Sequence, residues 1–371
     1  MQFEVKRDIL LKSLNYVQGI VEKKNTLPIL SNVLLQLKDK KLSIVATDLD
    51  IIFFDEIEEV KIITEGSTTT SASILYDILR KISSDSDLRF ELKTENKLSL
   101  KSDNADFNLL CLPTDNFPTF ADEFEGQEVS LNNGRFLKLL NKTKISISND
   151  ETRHYLNGIF LHKTKLENKS FLCGVATDSH RLSSSSIEID ENINIESVIL
   201  PKKTIFQLIS LLEQSNKTIK ISNNKSRIKF ELGSGILISK VIDGRFPDYN
   251  KVIPKDNNKI LEIKLNEFKN SIDRVTTVSA DRKEGLKISI SKDTIQLSVN
   301  SVNSGEGVEN INAKFNSDNL TISFNSRYLT DIASQLDSEK IFIYLKDPGS
   351  PVLVKDPAEK NSFHVVMPMK I

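Results

Sequence analysis

Apolar positions along this chain recur with two periods. Leu75, Ile78, Leu79 and Ile82 stand at i, i+3, i+4 and i+7, the stripe that covers one face of a helix. The same stripe returns at Ile205, Leu208, Ile209 and Leu212, and again at Leu329, Ile332, Ala333 and Leu336. A second helical marker runs through Leu10, Leu11 and Leu14, then Phe136, Leu137 and Leu140, then Phe268 and Ile272. Period-two alternation marks strands with one packed face and one wet face. It appears at Leu88, Phe90 and Leu92, at Ile228, Phe230 and Leu232, and at Ile341, Ile343 and Leu345, each run expected to follow the second helix of its unit. The strand Leu42–Asp48 is repeated as Leu172–Asp178 and, more weakly, as Ile295–Ser301.

Every marker returns after about a third of the 371 residues, so the chain reads as one unit written three times. The expected units are 1–124, 125–256 and 257–371. Each is long enough for its own core, which excludes a solenoid of small interdependent repeats. The fold class is α+β: three similar domains, each with two helices packed on antiparallel sheets.

Composition sharpens this only in places. With 39% hydrophobic and 27% charged residues the chain has the make-up of a globular protein. Charges occupy the first eight residues, where a secretory signal needs an apolar stretch. No run approaches the roughly 18 to 20 apolar residues that span a bilayer. A cytoplasmic protein without membrane contact is expected. Cys111 and Cys173 lie far apart in strand-like contexts and read as buried thiols. Four histidines and two separate cysteines give no metal-ligand spacing, and no cofactor is expected.

Net charge is −1, yet the predicted helices (7–24, 72–82, 134–145, 202–212, 266–279 and 326–336) are basic as a set and the rest is acidic. Arg135, Lys138, Lys142 and Lys144 stand in one helix without an acidic neighbour, and Lys202 and Lys203 open another. Helix propensity explains lysine and arginine there but not the scarcity of glutamate. A shared helical face would attract phosphate, and such contacts carry no base information and weaken as salt rises.

Asp178, Ser179 and His180 invite a hydrolase reading. Successive strand residues point to opposite faces, however, so they form no relay. No nucleophile elbow or phosphate-cradling glycine loop occurs. Asp48 and Asp178 read equally well as caps of the turn after a strand, and His180 as a surface or domain-seam residue. The chain ends in an apolar strand and Met367-Pro368-Met369, which suits either an adaptable partner surface or an edge strand.

Taken together, Thr26–Leu30, Tyr155–Gly158, Val175–Asp178 with His180–Leu182, Gly244–Tyr249 and Val366–Met369 resemble the beta subunits of bacterial DNA polymerase III, the sliding clamps. The resemblance covers essentially the whole chain. It implies a non-catalytic processivity factor in DNA replication: a head-to-tail homodimeric ring, with helices lining the hole and sheets outside. It implies contacts between Leu75, Phe107 and Leu109 of one copy and Thr277 and Val278 of the other.

The resemblance places a groove for short apolar partner peptides at Leu156, Thr177, Ser179, His180, Arg181, Leu182, Pro247, Lys251, Val252, Asn325, Tyr328 and Val365–Ile371, a run that holds Val366, Met367, Pro368, Met369 and Lys370. The polymerase III alpha subunit, the clamp loader and other clamp-motif proteins are the implied partners. Lys24, Arg153, His154 and Tyr155 match positions that touch DNA, joining Arg135, Lys138, Lys142, Lys202 and Lys203. Ser179 replaces a usual glycine, Lys251 an arginine, Lys283 an aromatic and His154 a tyrosine, while Gly349 and Pro351 alter a nearby loop. A three-domain scaffold without DNA, or a hydrolase using Asp178 and His180, are the rival readings.

Overall fold

A computed structural model describes all residues except 23–25, 104, 119–126, 215–217, 280–284 and 371. Its helices are α1 (Arg7–Val17), α2 (Ala72–Lys81), α3 (Asn133–Lys144), α4 (Lys202–Glu213), α5 (Leu265–Val275) and α6 (Ser326–Ala333). Each repeat has the order strand, helix, a run of strands, helix, three strands. The first repeat carries an extra strand, Val60–Thr64.

The stripes become the buried faces of these helices. Leu75 and Leu79 of α2 are wholly buried, Ser71 caps its first turn by accepting from the Ile74 amide, and Arg80 and Lys81 meet the negative end of the helix dipole. Phe268, Ile272 and Val275 do the same for α5. Each such side chain removed from water contributes about 1.5–3 kcal/mol. Two boundaries differ from expectation. Helix α1 ends at Val17, before Gly19, a poor helix former. The alternating run directly after α4 is Ile219 and Ile221 in strand Thr218–Asn223; Ile228–Leu232 belongs to the strand after it.

The chain forms two compact units: Met1–Arg135 with Ile193–Glu196 and Lys203–Val241, and Phe136–Asn192 with Ser197–Lys202 and Ile242–Ile371. Among the described residues, one holds an antiparallel sheet of 13 strands and the other a sheet of 12. Repeat boundaries are bridged within each sheet. In the first unit, strand Ile51–Ile57 pairs with Gly235–Lys240, placing Phe53 opposite Leu237. In the second, Arg181–Ile189 pairs with Ser362–Val366, placing Ser183 opposite His364.

The turn after the repeated strand is built twice from the same atoms. The Asp48 carboxylate accepts from the amides of Asp50 and Ile51 (3.0 and 2.7 Å), and Asp178 from His180 and Arg181 (both 2.9 Å). Thr47 and Thr177 donate across the same turns to the carbonyls of Ile51 and Arg181. These aspartates are turn caps. Leu49 and Ser179 take left-handed backbone in them, at φ 79° and 76°. That conformation costs a non-glycine residue about 1–2 kcal/mol.

Candidate functional site

The second unit brings some of the groove candidates together and sends others to the opposite face of its sheet. Leu156, Leu182 and Val365 form one apolar cluster with Cys173, Val175, Ile199, Phe246 and Leu353. Antiparallel pairing sets Leu182 opposite Val365 and Arg181 opposite Val366. Alternation turns Val366 the other way. It is wholly buried in the C-terminal core, which removes it from the groove surface. The terminal segment is fixed by its backbone: the Met367 amide donates to His180 O at 2.8 Å and the Met369 amide to Ser323 O at 2.7 Å. Their side chains stay open, 40% and 38% exposed, and Pro247 and Val252 are exposed as well. An apolar floor with exposed methionines at its rim suits apolar side chains of a peptide.

Arg181 is a brace. Its guanidinium contacts Asp178 (3.1 Å) and Asp331 (2.7 Å) and lies 4.3 Å over the Tyr328 ring. Asn325 accepts from the Arg327 amide and caps α6. Thr177 is spent on its turn. Lys251 is exposed and only loosely paired with Asp248, at 3.8 Å. His180 and Lys370 are exposed and Pro368 is half-buried. Ser179 offsets its backbone strain by accepting from Arg153 at 2.6 Å. Ile371, Lys24 and Lys283 lie outside the described residues.

Sequence reasoning passed over Phe246 and Leu353 in the floor, Asp331 behind Arg181, and Phe160, which stacks on Phe246 at 5.0 Å. Phe246 adjoins Pro247 in a segment already singled out. Nothing in the local pattern marks Leu353.

Beneath the strand Ser362–Val366 runs a buried polar chain. The Ser146 and Ser183 hydroxyls are 2.7 Å apart, and Ser183 Oγ is 2.7 Å from His364 Nδ1. Lys142, 2% exposed, ion-pairs with Asp337 (3.6 Å) and Asp356 (3.8 Å). This corrects the sequence reading: Lys142 sits inside the fold and reaches no phosphate. Burial opposes ionisation of Asp356. Hydrogen bonds from Ser338, the amides of Asp337 and Ala358, and the Lys142 charge outweigh it and leave the carboxyl below its ordinary value.

Burial pushes His364 down to about 3, with the Lys142 and Arg181 charges helping and Asp356 opposing. Its unfolded value is 6.5, so the stability tied to the neutral ring is complete above pH 6.5 and is lost as pH falls toward 3. Urea unfolding of the wild type and of His364→Gln checks this. The stability difference between them should change by up to about 1.4 kcal/mol per pH unit below 6.5. A difference constant from pH 7 to 4.5 would refute a buried neutral histidine.

The remaining basic candidates vary. Arg135 is exposed. Lys138 pairs with Asp337 (2.8 Å) and Glu359. Hydrogen bonds from Thr152 and Arg153 hold the Asp150 carboxyl at about 2. His154 is exposed, its Nε2 3.1 Å from Asp243 O, and Tyr155 packs against the groove cluster. Lys202 meets Asn149, and Lys203 meets Asp48 and Glu22.

Of the interface candidates, Leu75 and Leu109 are buried at 0% and 6% exposure, which corrects their assignment to a contact surface. Phe107 is half-exposed and lines a cleft of about 620 Å³ with Ile74, Ile78 and Ile82. Leu110 is 82% exposed. Thr277 is exposed and donates to Asp273 O at 2.9 Å, and Val278 is half-buried against the C-terminal core.

Three family models cover the chain: the N-terminal (residues 1–121), central (130–248) and C-terminal (250–370) domains of the DNA polymerase III beta subunit. Beta sliding clamps of Caulobacter vibrioides and Escherichia coli K12 are 36% and 32% identical to it, each over 100% of both chains. The Caulobacter crescentus clamp structure superposes with a TM-score of 0.96 at 36% identity, covering 100% of this chain and 99% of that one. A Bartonella birtlesii clamp bound to griselimycin also gives 0.96 at 36% identity, covering 100% of both. These are DNA clamps, ancillary proteins of replication. The chain belongs to the family of the DNA polymerase III beta subunit, the bacterial beta sliding clamps. It is a DNA sliding clamp that gives replication its processivity and performs no chemistry of its own.

Proposed function

We propose that two copies close head to tail around duplex DNA and present the groove at Leu156, Leu182, Val365, Met367 and Met369 to partner peptides. The carrying observation is a pair of half-paired strands. Gly305–Asn312 pairs along one side with Thr294–Ser301, and Ala105–Leu110 along one side with Lys97–Ser102. Among the described residues no strand covers the other side of either stretch. In the repeat, these strands correspond to the two that already bridge the first and second repeats, and the second and third. Carrying the register of Phe53–Leu237 and Ser183–His364 across sets Gly307 of one copy opposite Phe107 of a second copy. Bulk there is already limited, since a Cβ at Gly307 would lie 2.7 Å from Val275 O. A bare backbone opposite a phenyl ring suits close strand approach. A head-to-tail contact that closes makes a ring.

Arg135, Lys138, Arg153, His154, Tyr155, Lys202, Lys203 and Lys24 are the proposed DNA-facing residues. Their contacts go to phosphate, so the ring slides and grips less as salt rises. The polymerase III alpha subunit, the clamp loader and other proteins carrying the peptide motif are the proposed partners, in the cytoplasm.

Light scattering should give twice the 41.9 kDa chain mass for the wild type. Phe107→Asp should weaken dimerisation at least about 30-fold, or about 2 kcal/mol. Loaded wild type should stay on nicked circular DNA and leave when the circle is cut. A monomeric wild type, or equal retention on linear DNA, would defeat the proposal.

A further inference from the structure

A cavity of about 930 Å³ in the first unit opens between α1, the strand Ile51–Ile57 and the turn before Gly235. Its acidic lining residues are Asp55, Glu56, Glu58 and Glu59, set against Lys12 and Lys41, and Lys41 is already paired with Glu56 and Glu58. Asp55 is 8% exposed. One of its oxygens accepts from the Ser13 hydroxyl; the other, Oδ1, is buried without a hydrogen-bond partner among the described residues. A buried carboxylate oxygen without a partner is costly.

The third repeat carries the matching pair in completed form. Ser271 and Glu309 occupy the positions of Ser13 and Asp55, and Ser271 donates to Glu309 at 2.8 Å. There the Arg274 guanidinium also grips Glu309, with Nε at 3.0 Å. In the first repeat the residue in Arg274's place is Tyr16, whose hydroxyl donates instead to Gln214 at 2.9 Å. The first repeat thus keeps the carboxylate and the hydroxyl; Lys12 of its helix lines the cavity, but among the described residues no cation stands in Arg274's place or is ion-paired with Asp55. Ile9, Tyr16, Phe53 and Leu232 give the same cavity an apolar wall.

We propose that this cavity binds a guanidinium or primary ammonium group carried on an alkyl stem, the cation meeting Asp55 and the stem lying along Ile9, Tyr16 and Phe53. A charge-assisted contact to a desolvated carboxylate is the strong kind, and the methylenes gain from the apolar wall. A free polyamine and an arginine side chain of a partner present the same chemistry.

Calorimetric titration of the full-length protein at low salt tests this with agmatine, spermidine and N-acetyl-arginine amide, beside Asp55→Asn and Tyr16→Arg. At least one probe should saturate with a Kd of roughly 1 mM or tighter. Asp55→Asn should weaken that binding at least about tenfold. Tyr16→Arg rebuilds the internal pair and should abolish binding while raising the melting temperature. A tighter fit for spermidine would identify a free polyamine as the ligand; a tighter fit for the arginine amide would identify a protein side chain. No saturable binding by any probe, or equal binding to Asp55→Asn in a variant that melts like the wild type, would overturn the proposal. So would undiminished binding to a folded Tyr16→Arg.

Discussion

Lys142→Glu should lower the unfolding free energy by about 3–5 kcal/mol, the cost of breaking a buried ion pair and leaving charge uncompensated. The lysine is 2% exposed, and its ammonium lies 3.6 Å from Asp337 and 3.8 Å from Asp356. A glutamate there removes the only cation recorded against Asp356 among the described residues and adds a third carboxylate. Lys142→Met should cost much less. Asp356 keeps its hydrogen bonds from Ser338, Asp337 and Ala358, and the methionine fills the lysine's stem. Urea unfolding of both variants decides the matter, and a cost below about 1 kcal/mol for the glutamate would contradict the burial. A loss of clamp activity in Lys142→Glu would then report a damaged fold rather than a lost phosphate contact. Arg135 is the cleaner probe of DNA binding because it is exposed.

The second large effect is on partner binding. A labelled pentapeptide of the Gln-Leu-x-Leu-Phe type should bind the wild type at about micromolar concentration, near −8 kcal/mol. Met367→Ala with Met369→Ala should weaken it about 30-fold or more, roughly 2 kcal/mol, by removing apolar area from the groove rim. The melting temperature should hardly move. Both side chains are about 40% exposed, and the tail is held by amides that alanine retains. Fluorescence anisotropy gives the affinities, and an unchanged double variant would remove the tail from the groove.

Much of the fold was legible because period 3.6 and period two are direct readings of which face is buried. The stripe placed Leu75 in a helix core, and the structure agrees. Matching Leu75 to a contact surface by resemblance ignored that stripe. The same applies to Val365 and Val366, which alternation sends to opposite faces of one strand. Lys142 was misread for another reason: its carboxylate partners lie some two hundred positions downstream, where no local pattern connects them. The half-paired strands at Ala105–Leu110 and Gly305–Asn312 were equally invisible, since pairing is a property of neighbours in space. Ser179 shows the converse. Its departure from glycine was visible in sequence, but the hydrogen bond from Arg153 that offsets its strain needed the structure.

The two sheets also bear on how the chain reaches this state. The boundaries of the compact units do not follow the repeats. They assign most of α3 to one unit and most of α4 to the other, dividing the central repeat between them. The strand Gly235–Lys240 is stitched to the first repeat, and Arg181–Ile189 to the third. Two cooperative segments rather than three are therefore the expected result in unfolding. Cut out alone, the central third would leave each of these strands with one strand neighbour instead of two, and aggregation of that fragment through the opened edges is the expected result.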